Sequence, residues 1–67
     1  MIQSMNIFVN SDSTNELLNI CYTLQRNESI LDFRQYGSGV QIKFEEQHTN
    51  HIKNTITNHL QTKIIFN

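Results

Sequence analysis

The chain has 67 residues, five basic and six acidic side chains, and a formal net charge of −1. That length holds one domain, residues 1–67, and the balanced charge excludes both a basic surface built for phosphate backbones and an acidic tail that mimics DNA. With one cysteine, Cys21, no disulfide can form within the chain.

The first pattern is "MNIFVN" (5–10). Met5, Ile7 and Val9 alternate with Asn6, Phe8 and Asn10, the period of a half-buried strand. "NSDS" breaks it. Ser13 and Glu16 then have the spacing of a capping box, and from Glu16 to Arg26 the period becomes helical. Leu17, Ile20, Cys21 and Leu24 form one stripe with Leu18 at its edge. Asn27 is the candidate for the left-handed position that closes the helix.

"ILDFRQY" (30–36) reads as a second strand, with Leu31 and Phe33 on one face. Ile30, Asp32, Arg34 and Tyr36 take the other. Gly37-Ser38-Gly39 supplies a tight turn, because glycine tolerates positive φ. "VQIKFEE" (40–46) alternates Val40, Ile42 and Phe44 against Gln41, Lys43 and Glu45, so residues 30–46 form a hairpin. In "HTNHIKNTITNHL" (48–60), Ile52, Ile56 and Leu60 repeat every four residues and predict a second helix. "KIIFN" closes the chain as a short strand, with Ile64 and Phe66 facing one way and Ile65 the other.

Strand, helix, strand, strand, helix, strand is the order of an α+β, ferredoxin-like βαββαβ two-layer sandwich. Right-handed crossovers put both helices on one face of a four-stranded antiparallel sheet of order 4-1-3-2. The alternative has no fourth strand, with the tail loose or paired to another chain. The expected core is Ile7, Val9, Leu17, Cys21, Leu24, Leu31, Phe33, Val40, Ile42, Phe44, Ile52, Ile56, Leu60, Ile64 and Phe66.

All three histidines, His48, His51 and His59, lie in the second helical stretch. At about 100° per residue they flank one side of its apolar stripe. His59 falls about 16 Å along the axis from the other two. His48 and His51, with Glu46, are therefore the weak candidates for a metal site, and no further ligand has metal-site spacing. At a helix start, positive charge is disfavoured, so a pH-sensing role for these rings has little support. Side chains bordering a core are the plainer role.

No arrangement calls for catalysis or a cofactor. Cys21 lies mid-stripe and reads as a small core hydrophobe. The glycine turn joins two strands rather than opening a helix, so it lacks the dipole of a phosphate site. Glu45 and Glu46 point to opposite faces of a strand.

No apolar run approaches the ~18 residues of a membrane span. "MIQSMNIFV" lacks the basic region and cleavage site of a signal peptide. The chain is expected to be cytoplasmic, with its thiol reduced and its Asn27-Glu28-Ser29 sequon unused. Proline and alanine are absent while asparagine and isoleucine are abundant. That bias toward AT-rich codons suggests a phage or mobile element of a low-GC bacterium.

A sandwich of this kind leaves one sheet face without helices. That face carries Phe8, Arg34, Tyr36, Lys43 and Ile65, the candidate partner-binding residues. RNA-binding sheets carry several aromatics on their central strands and a basic surround. Here only Phe8 is central, so single-stranded nucleic acid ranks second and metal binding third. Strand 4 has no charged residue after Lys63 and is the less protected edge. The expectation is a non-enzymatic protein-interaction module, a regulator, adaptor or inhibitor that binds another protein, itself as a homodimer, or both. A core this small leaves stability marginal, and a partner is one common remedy.

Overall fold

The computed structural model describes residues Met1–Asn67. Its strands are β1 (Ile2–Phe8), β2 (Asp32–Tyr36), β3 (Gly39–Glu45) and β4 (Ile65–Phe66), and its helices are α1 (Thr14–Arg26) and α2 (Thr49–His59). One antiparallel sheet runs β2-β3-β1-β4, the expected order read from its other edge. The fold is the ferredoxin-like α+β sandwich.

β1 starts earlier and stops sooner than the alternation at 5–10 predicts. Its start is set by its partner: β3 continues to Glu45, which pairs with Ile2. Its end is set by the turn at Ser11–Ser13, a short 3-10 segment that runs straight into α1. Val9 is still buried beyond the strand. This entry also overrides the capping box. Ser13 has helical backbone angles and makes no side-chain cap. Thr14 anchors the helix start instead, its hydroxyl donating to the Ser38 carbonyl at 2.6 Å.

α1 closes one residue later than predicted. Glu28, not Asn27, takes positive φ (67°). The Ser29 amide donates to Leu24 O at 2.8 Å and the Glu28 amide to Gln25 O at 3.1 Å, the paired bonds of a Schellman closure. The Asn27 side chain accepts the Ser29 amide at 3.1 Å. This closure turns Ile30 under the helix, where it is 2% exposed, and leaves Leu31 48% exposed. The predicted alternation from Ile30 is therefore wrong by one at its start. β2 begins at Asp32, and Phe33 is half-buried against the core.

The hairpin turn has two residues, because Tyr36 pairs with Gly39. Gly37 holds φ +62°, which a side chain would strain. Before α2, Glu46–His48 form a second 3-10 turn, so the helix begins at Thr49 rather than His48. The Thr49 hydroxyl donates to Glu46 O at 2.7 Å. α2 is rich in residues of modest helix propensity. Burial holds it: Ile52 and Ile56 are fully enclosed. Leu60, just beyond, is extended and buried.

The core lies between the helices and the inner sheet face. Ile7, Val40, Ile42 and Phe44 meet Leu17, Cys21, Leu24, Ile52 and Ile56 there. Met5, Ile20 and Ile30 belong to it as well, and Leu31 does not. Ile64 and Phe66 pack on its margin.

Candidate functional site

Strand periodicity fixes what the uncovered face carries. Residues of β1 with Ile7 and Met5 point inward, so Ile2, Ser4, Asn6 and Phe8 point outward. On β3 the outward set is Gln41, Lys43 and Glu45; on β2 it is Asp32, Arg34 and Tyr36. β4 adds Ile65, directly opposite Phe8.

The register arranges these as rows across the sheet. Ser4, Lys43 and Asp32 form one row, and Asn6, Gln41 and Arg34 the next. Both are polar. Arg34 Nε donates to Gln41 Oε1 at 3.2 Å. The third row is apolar. Tyr36 pairs with Gly39, and one further step of the β1–β3 register sets Gly39 beside Phe8. A Cβ on Gly39 would stand 3.0 Å from Phe8 Cα. The row therefore reads Tyr36, Gly39, Phe8, Ile65.

Glycine at the third-strand position removes the side chain that would separate the two aromatics. The Phe8 and Tyr36 rings meet across it, with centroids 6.1 Å apart and planes at 50°, within the range of favourable aromatic pairs. Phe8 is half-buried between Tyr36, 50% exposed, and Ile65, 51% exposed. A cavity of about 150 Å³ continues the row past Ile65, lined by Phe8, Val9, Asn10, Lys63 and Ile65. Asn10 Nδ2 donates to Thr62 Oγ1 at 3.3 Å and ties the two loops beside it.

Of the five predicted binding residues, Phe8, Tyr36 and Ile65 come together in this row. Arg34 and Lys43 stand on the polar rows, beside a second depression of about 190 Å³ that they line with Asp32, Phe33 and Gln41. Sequence reasoning missed Gly39 and Lys63. Gly39 was readable in principle: a two-residue turn places Tyr36 opposite it. Asn6 was missed too. Its Oδ1 is enclosed in the next row with no hydrogen-bond donor from the chain.

The histidines are dispersed. His48 lies in the 3-10 turn and His51 and His59 on α2. His51 and His59 share, with Glu16, a groove of about 280 Å³ between the helices, floored by Ile20 and Leu24. The Thr55 carbonyl accepts a bond from His59 Nδ1 at 2.8 Å. No group of three or more His, Cys, Asp or Glu side chains is placed to hold a metal ion. Cys21 is fully enclosed, and burial pushes its thiol up to about 12. No helix is long and apolar enough to cross a membrane.

Compared with protein-family models, with curated proteins and with solved structures, the chain returns no match.

Proposed function

We propose that this protein is a non-enzymatic interaction module that binds another protein, or a second copy of itself, through the uncovered sheet face. One observation supports the reading above the others: the apolar row Tyr36–Phe8–Ile65 crosses all four strands, passing over Gly39, at one end of the sheet, with Arg34 in the next row and Lys43 in the row beyond. Single exposed apolar residues are ordinary. Phe8 meeting Tyr36 on one side and facing Ile65 on the other, on a sheet face with no covering layer, supports a docking surface.

The magnitudes fit a modest interface. Burying a whole large apolar side chain gains about 1.5–3 kcal/mol, so completing the burial of half-exposed Tyr36 and Ile65 yields about 1 kcal/mol each. Phe8 is already part-buried and acts as the fixed centre. Arg34 and Lys43 supply the polar rim that orients a partner.

The test replaces Phe8 and Ile65 with serine together. Both side chains point away from the core, so the circular dichroism spectrum and cooperative melt are retained. Light-scattering mass and capture from a lysate of the native host should both show association by the natural chain and none by the variant. Equal mass and equal capture for the two proteins reject the reading. Retained binding of single-stranded oligonucleotide at micromolar protein and moderate salt, lost in the variant, replaces protein with nucleic acid as the partner.

A further inference from the structure

A groove of about 280 Å³ runs between α1 and α2. β1 and β3 are antiparallel, and each is followed by the helix that returns over the sheet, so the two helices are antiparallel as well. The first turn of α1 lies beside the last turn of α2. Glu16 and His59 therefore line the same end of the groove.

The hydrogen bonds within the helices decide what this groove offers. His59 Nδ1 bonds Thr55 O at 2.8 Å. A carbonyl can only accept, so the ring proton is on Nδ1, and Nε2 of the neutral imidazole keeps a lone pair. Glu16 beside it is a second acceptor. It has no cation of its own, because the molecule's single ion pair joins Met1 to Glu45, and no lysine or arginine lines the groove. The partial charges of the two helix ends, positive on α1 and negative on α2, offset each other. About two turns along α1, Thr23 donates its hydroxyl proton to Asn19 O at 3.3 Å, which leaves its oxygen as an acceptor alone. At the far end the polarity reverses. Asn27 uses its Oδ1 to accept the Ser29 amide at 3.1 Å and retains its amide donors. Between the ends, Ile20 and Leu24 form an apolar floor.

We infer that the interhelical groove binds a small amphipathic primary amine, its ammonium group between Glu16 and His59 and its apolar body on Ile20 and Leu24. An ammonium group has three donors and no acceptor, which matches an end built of a carboxylate and an imidazole lone pair. A ligand carboxylate or phosphate would meet Glu16 with like charge and find no donor there. The volume lies at the small end of ligand pockets, about 300–1,000 Å³, so the body is a single ring or a short alkyl chain. The groove belongs to the helical layer, and the inference stands or falls apart from the open-face reading.

The test is an NMR titration of the intact, isotope-labelled chain with phenylbutylamine and with its neutral and anionic counterparts, phenylbutanol and phenylbutyrate. The amine should give saturable amide shifts at Glu16, Ile20, Leu24, Thr55 and His59, with a Kd below about 1 mM. The alcohol should bind about fivefold more weakly or worse, and the acid should not bind. Glu16→Gln changes an exposed residue and keeps the fold. It should reduce the amine to the affinity of the alcohol and leave the alcohol unchanged, a shift in ratio that a merely structural role does not produce. His59→Phe keeps the ring's bulk without its lone pair and should narrow the same ratio. No saturable shift with any of the three compounds, equal binding of amine and alcohol, or an unchanged ratio in Glu16→Gln overturns the inference. Nα-acetyl-lysine amide binding as tightly as phenylbutylamine overturns the small-molecule assignment and makes a partner's lysine side chain the occupant.

Discussion

The rings of Phe8 and Tyr36 lie 6.1 Å apart although β3 runs between their strands. Strands two apart in a sheet are separated by nearly 10 Å, so such a contact exists only where the middle strand has no side chain. Gly39 provides the gap. The same residue permits a close approach of backbones, because a Cβ there would stand 1.8 Å from Ile7 O.

Gly39→Ala should therefore cost about 3 kcal/mol or more, since backbone rather than a mobile side chain must move. Gly37→Ala, which adds a methyl group in open space but at φ +62°, should cost about 1 kcal/mol. Urea unfolding of the two variants measures both. Equal losses would mean that strain at the turn, not the approach of Ile7, governs this hairpin.

Ile30 and Leu31 should differ sharply although they are adjacent and similar in size. Ile30→Ala empties a site under the end of α1 and should lower stability by about 2–5 kcal/mol. Leu31→Ala, at a half-exposed position, should lower it by about 1 kcal/mol or less. Thermal melts of both variants decide, and a larger loss at Leu31 would restore the simple alternation.

That pair also shows what the sequence could and could not reveal. Period-two alternation identified the strands and their faces wherever a strand has a true partner, as in Val40–Glu45. It failed at Ile30, because the closing turn of α1 rather than sheet pleating sets that side chain. The capping box failed for a related reason: a 3-10 turn consumed the residue meant to cap. The row Tyr36–Phe8–Ile65 was legible as a face, since parity alone fixes which way each residue points. Its contact was not, because that depends on register across Gly39. Strand length at the chain's end is decided by pairing, and "KIIFN" gives no sign that only Ile65 and Phe66 form strand.

Cys21 should be inert in the folded protein. Its enclosure raises the thiol to about 12 from an ordinary value of 9.0, so thiolate is scarce and access is blocked. Iodoacetamide labelling should proceed at the rate of unfolding and accelerate in urea. The linkage sign follows from the raised value. The stability it carries is whole below pH 9 and is lost as pH rises toward 12, because the unfolded thiol ionises first. A Cys21→Ala variant should lose less stability than the natural chain across that alkaline range. Identical pH profiles would place the alkaline sensitivity elsewhere.

The most direct measurement of the open-face reading is a backbone amide NMR map of the chain, concentrated or mixed with its partner, against the dilute free state. The expected result is a contiguous set of shifts at Phe8, Arg34, Tyr36, Lys43 and Ile65, absent when Phe8 and Ile65 are serine. Shifts confined to the opposite layer, around Glu16, Asn19, Thr23, His51 and His59, would contradict it.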